Sequence, residues 1–90
     1  MLVLRKKIDV LDAGICALLE KRFETVLEVL PLKKKIRDSS REKMVLAGVR
    51  KNIKDPELYP YFRRIYKEIL KQSAARQEKY AYKVQKKRQK

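Results

Sequence analysis

The 90-residue sequence has no histidine, no tryptophan and a single cysteine, Cys16. With one cysteine and no histidine, the chain can form neither an intrachain disulfide nor a Cys/His zinc cluster. Glycine occurs only twice and proline three times, and the β-branched alternation that is typical of strands is missing. These absences argue against a structural metal. They favour an all-α domain built from the abundant Ala, Leu, Glu, Lys and Arg.

Long hydrophobic runs are also missing. The first four residues, from Met1 to Leu4, are followed at once by three basic residues, so no apolar segment is long enough for a signal peptide. The uncharged run from Ala13 to Leu19 is far shorter than the ~20 residues needed to span a bilayer. We therefore expect a cytoplasmic protein that does not enter a membrane.

Acidic residues are few relative to basic ones, 11 against 25, which gives a formal net charge of +14. This excess implies an anionic partner, which can be nucleic acid, a membrane surface or a small dianion. Part of it lies in a basic tail, residues 83–90, that follows a domain of residues 1–82. The five tyrosines form no recognisable base-stacking motif. A helical nucleic-acid-binding module is therefore the less favoured interpretation.

Apolar residues at steps of three and four predict a first amphipathic helix from about Val3 to about Lys34. Pro31 can kink or end this helix, because proline lacks a backbone donor and clashes with the preceding turn. The predicted apolar stripe consists of Leu4, Ile8, Leu11, Ile15, Leu18 or Leu19, Val26 and Val29.

Start signals predict two further helices. Ser39 and Glu42 have the spacing of a capping box, which indicates a second helix that ends at about Lys54. Asp55 as N-cap and Pro56 at the first helical position indicate the start of a third helix. Its predicted apolar face consists of Leu58, Phe62, Ile65, Ile69, Tyr80 and Val84.

The helix lengths predict self-association. Helix 1 would be ~45 Å long at ~1.5 Å per residue, helix 3 would be similar, and helix 2 about half as long. Two long helices and a short one cannot cover one another's apolar stripes evenly. We therefore predict an all-α fold of a long, a short and a long helix, which buries its leftover apolar surface in an intertwined homodimer.

Polar residues interrupt the predicted stripes. Arg22 and Lys33 would lie ~20° apart around helix 1 and ~16 Å apart along it, so that both can reach one small anion. Ser73 and Gln77 take the next two inward positions of helix 3. Because an unsatisfied buried polar group costs roughly 1–3 kcal/mol, these residues indicate an enclosed polar ligand or a mutual network, and we favour the ligand. Taken singly, the cations can snorkel to solvent and Ser73 can bond back to its own helix.

In their order and spacing, these features resemble the all-helical class of chorismate mutases, a family that also includes isochorismate-pyruvate lyases. The resemblance covers about residues 4 to 80. The motifs that carry it are Leu4-Arg5-Lys6-Lys7-Ile8-Asp9-Val10-Leu11-Asp12, Leu18-Leu19-Glu20-Lys21-Arg22, Lys33, Arg37-Asp38-Ser39-Ser40-Arg41-Glu42 and Ser73-Ala74-Ala75-Arg76-Gln77.

The resemblance implies a cofactor-free and metal-free rearrangement of chorismate to prephenate, a step in phenylalanine and tyrosine biosynthesis. It further implies catalytic roles for Lys33, Gln77, Arg22 and Glu42. The substrate contacts that it implies come from Arg5, Asp38, Arg41 and Ser73, with Arg5 supplied across the homodimer interface. The helix geometry agrees with the last point, because Arg5 would lie ~25 Å along the axis from Arg22.

Two alternatives stay open at the level of sequence. Only four residues separate Lys33 from Asp38, so the lysine of the site can be Lys33, Lys34 or Lys35, and helix 1 is expected to end early. An isochorismate-pyruvate lyase would share the fold and the cations. Glu42, placed to bind the 4-hydroxyl of chorismate, favours the mutase.

Overall fold

The computed structural model describes the backbone of residues 1–88 and the side chains of residues 1–84. This part of the chain contains three α-helices and no strand: α1 Leu2–Val29, α2 Ser39–Asn52 and α3 Tyr59–Arg88. The predicted all-α order of long, short and long helices is confirmed. None of the described helices has the length and apolar character that a membrane crossing requires. The basic tail begins within α3, and its last two residues lie outside the described part.

The chain divides into two compact units, Met1–Leu32 and Lys33–Lys90. The first unit consists of α1 and a 3₁₀ turn, Leu30–Leu32. The prediction that helix 1 continues to Lys34 is therefore wrong by about one turn. Pro31 accounts for the difference, because it has no N–H to donate to the carbonyl four residues earlier. Lys33 lies beyond the helix, so the angular spacing predicted for Arg22 and Lys33 does not apply.

The apolar stripe of α1 is largely exposed in the single chain. None of the 28 residues of this helix, all of them described, is buried. Leu11 and Leu18, for example, are 65% and 69% exposed, whereas Leu19 is half-buried. An isolated helix gains most of its stability from packing an amphipathic face. This unit therefore carries a long apolar surface that is not buried within the unit itself.

The second unit begins with a short connection and α2. The N-cap of α2 is Asp38, whose Oδ1 accepts hydrogen bonds from the backbone N–H groups of Ser40 and Arg41 at 3.0 and 3.3 Å. The predicted capping box with Ser39 as N-cap is therefore wrong by one residue. A carboxylate one position earlier satisfies the free N–H groups of the first turn.

The start of the third helix is as predicted, except that its first turn is tighter. Asp55 caps a 3₁₀ turn, Pro56–Leu58, by accepting a hydrogen bond from the N–H of Glu57 at 3.0 Å. The α-helix then begins at Tyr59, whose ring lies 5.1 Å from the guanidinium carbon of Arg50 in α2. This cation–π contact joins the end of α2 to the start of α3.

The inward face of α3 is shifted from the predicted one. Ile65 is 56% exposed, whereas Phe62, Tyr66 and Ile69 are half-buried. Steps of four, three and four residues lead from Phe62 through Tyr66 and Ile69 to Ser73, and these positions share one face of the helix. Ile65 lies to one side of this inward face. Packing of α2 against α3 places this line at the interior of the unit.

Candidate active site

The most enclosed positions of the described chain are few, and half of them are polar. Only Val49, Ser73, Ala74 and Gln77 are buried among the described residues, and the serine and the glutamine are each 4% exposed. The prediction that the α3 stripe places polar groups inside is therefore correct. Their position one helical turn apart lets them interact directly.

Gln77 is held by hydrogen bonds at both ends of its amide. Its Nε2 donates to the backbone carbonyl of Ser73 at 3.1 Å and to Ser73 Oγ at 3.3 Å. Its Oε1 accepts a hydrogen bond from Lys33 Nζ at 3.2 Å. The cation fixes the orientation of the amide, because Lys33 can only donate. The carbonyl oxygen faces the lysine, and the amide nitrogen donates on the other side, toward Ser73.

Lys33 is the lysine that reaches this network. Its ammonium is partly buried and also donates to the carbonyl of Ile36 at 3.3 Å, while the side chains of Lys34 and Lys35 are exposed. The ammonium has three hydrogens, and these two contacts are its hydrogen bonds within the described residues. No described carboxylate lies within 4.0 Å of it. Its positive charge is therefore hydrogen-bonded but not neutralised by a direct ion pair, although it interacts with the Glu42 carboxylate at longer range.

The polar groups of this network satisfy one another. Every buried side-chain nitrogen and oxygen of the described residues has a hydrogen-bond partner. Burial of Ser73 and Gln77 therefore needs no ligand for its stability, and the mutual network weighed from the sequence is present. The property that points beyond the network is the unneutralised charge of Lys33, since a partly buried cation favours an anionic or oxyanionic ligand.

A second polar cluster lies at the start of α2. Arg37 Nε and Nη2 donate to the two carboxylate oxygens of Glu42 at 2.9 and 2.8 Å. These hydrogen bonds, together with the positive charge of Arg37, hold the pKa of the Glu42 carboxyl below its usual value although burial opposes the shift, and the charge of Lys33 contributes further. Glu42 is therefore an ionised acceptor at neutral pH.

The neighbouring site candidates have different surroundings. The Asp38 carboxylate is engaged as the cap of α2, and the side chain of Arg41 is exposed. Arg37, which belongs to the turn motif of the sequence but was not predicted as a site residue, is the residue that binds Glu42. A spacing of five residues across a non-helical segment gives no periodic signal, so the pattern search could not find the pair.

The arginines of the first unit lie on α1. Arg22 is half-buried and Arg5 is exposed. Both lie within one continuous helix, Leu2–Val29, so their separation along the axis is ~25 Å. A small dianion cannot bridge two groups of the same helix at that distance.

These features define an all-helical protein with a cationic, amide-lined site that suits a small anionic ligand. A comparison with protein families agrees and is more specific. Residues 4–78 match the model of the family described as chorismate mutase type II, and the chain belongs to that family. No curated protein and no solved structure matches it significantly.

Family membership identifies the reaction. The chain is an isomerase that converts chorismate to prephenate, the reaction predicted from its motifs. Chorismate is a dianion with an ether-linked enolpyruvyl arm. It is the kind of ligand that an unneutralised, partly buried ammonium favours.

Proposed function

We propose that chorismate binds with its ether oxygen beside Lys33 and Gln77, and that these residues and Arg22 and Glu42 carry the catalysis. The observation on which this proposal depends is the unneutralised ammonium of Lys33, fixed by the carbonyl of Ile36 and the amide of Gln77. The rearrangement breaks an ether C–O bond and forms a C–C bond within one molecule. It requires orientation of the arm over the ring and stabilisation of negative charge on the ether oxygen.

Lys33 and Gln77 supply the charge stabilisation. The third ammonium hydrogen of Lys33 is the donor for the ether oxygen, and one Nε2 hydrogen of Gln77 is the second. In the free enzyme that hydrogen is donated to Ser73 Oγ, which lies 3.3 Å from Nε2 and is the longer of the two contacts of the amide nitrogen. It exchanges a neutral acceptor for one that becomes negative in the transition state. Donors that are already in place before the reaction contribute most to its rate.

The remaining candidates bind the periphery of the substrate. Arg22 pairs with one carboxylate through its planar guanidinium. Ser73 can donate its own hydroxyl hydrogen to a carboxylate, because its oxygen is the acceptor toward Gln77. Glu42 accepts the ring hydroxyl, and the backbone near Asp38 supports it. Arg41 follows Asp38 and precedes Glu42 in the chain, and it balances the negative charge of these two acids.

We further propose that the enzyme is a homodimer in which the second carboxylate is bound by Arg5 of the partner subunit. Two features support this arrangement: the exposed apolar stripe of α1 and the ~25 Å that separates Arg5 from Arg22 on one helix. A partner helix that runs antiparallel brings the missing arginine to the site and covers the stripe at the same time. A cytoplasmic location stays a prediction from the sequence.

The decisive experiment compares Lys33→Ala with Lys34→Ala. Loss of the donor at the ether oxygen is expected to lower kcat by on the order of a hundredfold or more. The Lys34 variant removes the same charge from an exposed neighbour and should retain its rate. The readout is the loss of ultraviolet absorbance of chorismate by purified protein, with circular dichroism to confirm that each variant is folded.

Product identification separates the mutase from the lyase. Prephenate formed from chorismate is the expected product, because Glu42 is an ionised acceptor for the 4-hydroxyl. Pyruvate released from isochorismate, without prephenate from chorismate, would overturn the assignment. Near-normal turnover of a folded Lys33→Ala variant would contradict the role of Lys33.

A further inference from the structure

Glu42 is held by one residue of its own unit. Arg37 donates two parallel hydrogen bonds to it at 2.9 and 2.8 Å, the planar fork geometry that lysine cannot provide. The pair bridges the connection before α2 and the first turn of α2. The two charged groups form an ion pair with an N···O distance of 2.8 Å. The arrangement fixes both the direction and the charge of the Glu42 carboxylate.

An unsupported glutamate at this position would have little to orient it. The carboxylate is partly exposed, its side chain being 25% accessible, and a long side chain at a helix start samples several rotamers. The nearest acid, Asp38, cannot replace it, because its Oδ1 caps α2. Each oxygen of Glu42 that accepts from Arg37 keeps a second lone pair. The carboxylate can therefore receive a hydroxyl without losing Arg37.

From this geometry we infer that Arg37 is a positioning residue for the reaction, holding Glu42 as an oriented carboxylate for the ring hydroxyl of chorismate. The inference rests on the proposed role of Glu42. Arg37 itself need not touch the substrate, because both of its donors toward the site are occupied by Glu42.

The other charges around the pair must be considered for any dependence on pH. Asp38 raises the pKa of Glu42 and Lys33 lowers it, while Glu78 acts on Arg37. A cavity of about 380 Å³ beside the pair is lined from α3 by Arg64, Lys67, Glu68 and Lys71. Of these groups, Arg37 alone is hydrogen-bonded to Glu42. Its removal is therefore expected to raise the pKa of the carboxyl even though other cations remain.

The test uses Arg37→Gln with Arg64→Gln as the matched control, since Arg64 lines the same cavity and its replacement removes the same charge. Arg37→Gln is expected to lower kcat/KM for chorismate about tenfold, the size of one lost charge-assisted contact. Because the Glu42 pKa is depressed in the wild type, activity persists as the pH falls below the usual range of a carboxyl. In Arg37→Gln the acid limb of the kcat/KM profile should shift to higher pH, and in Arg64→Gln it should not.

Two further variants separate the possible results. Arg37→Lys keeps the positive charge but cannot make two parallel hydrogen bonds to Glu42. Its kcat/KM should lie between those of the wild type and Arg37→Gln, which keeps the test valid if Arg37→Gln folds poorly. In a Glu42→Gln background, Arg37→Gln should have no further effect. An equal drop in both backgrounds, or a profile for Arg37→Gln that matches that of Arg64→Gln, overturns the positioning role alone. Wild-type kcat/KM in Glu42→Gln overturns both this inference and the proposed role of Glu42.

Discussion

The amide of Gln77 is a buried polar group whose hydrogen bonds are satisfied without a ligand. Its oxygen is bound by Lys33, and its nitrogen donates to two atoms of Ser73. In the proposed mechanism, the amide would exchange its longer contact with Ser73 Oγ for the ether oxygen, and the new contact would strengthen as that oxygen becomes negative in the transition state. This matters because an unpaired buried amide costs roughly 1–3 kcal/mol.

Gln77→Leu tests this interpretation against Ser73→Ala. Leucine keeps the volume but removes the donor to the ether oxygen, so kcat should fall by on the order of a hundredfold. Alanine removes a hydroxyl, but the backbone carbonyl of Ser73 still accepts from Gln77. Its effect on kcat should therefore stay below about tenfold. Steady-state kinetics on both variants gives the answer, and equal losses of kcat would contradict the separate roles.

At the scale of the element, the start of α2 combines a structural task with a proposed functional one within five residues. Asp38 caps the helix, and Glu42 lies one turn further along the chain. The negative charge of both residues is favourable near the positive end of a helix dipole. The first turn of α2 is thus stabilised by the same acids that the proposed function assigns to the substrate.

The cap can be tested by Asp38→Ala and Asp38→Asn. Loss of an N-cap costs about 1 kcal/mol, which corresponds to a fall in Tm of roughly 4–8 °C for a domain of this size. Asparagine accepts the same hydrogen bonds and should stay close to the wild type. Thermal unfolding followed by circular dichroism measures both. If the asparagine variant melts as early as the alanine variant, the charge and not the cap is the source of the stability.

The local signals of the sequence explain which features could be predicted. Asp55 and Pro56 marked the start of the third helix, and the polar breaks at Ser73 and Gln77 marked the buried site, because both depend on neighbours along one helix. The pairing of Arg37 with Glu42 depends on the path of a non-helical connection, which has no period. The N-cap was misplaced because Asp38 and Ser39 are both good caps, and only the geometry chooses between them.

At the scale of the whole molecule, the notable feature of α1 is its exposed apolar stripe. Its stripe includes Leu4, Ile8 and Ile15, each more than half exposed. At roughly 25 cal/mol per Å² of apolar surface, covering such a stripe stabilises an assembly substantially. The proposed homodimer would cover this surface and would build each of its active sites from two chains.

Mixing experiments test the shared site. Arg5→Ala and Arg22→Ala variants should each be nearly inactive alone. Unfolded together in equal amounts and refolded, about half of the dimers would be mixed, and each mixed dimer would hold one intact site. About one quarter of the wild-type activity should then return. If the mixture stays as inactive as its components, both arginines belong to the same chain's site.

The exposed apolar stripe of α1 has a consequence for how the enzyme responds to dilution. When a helix buries its apolar face only against a second molecule, folding is coupled to association, and its stability depends on protein concentration. Heat resistance then rises with the amount of protein present. In the proposed homodimer the turnover number would be a property of the pair, and a cell that makes little of this enzyme would lose more than a proportional share of its activity.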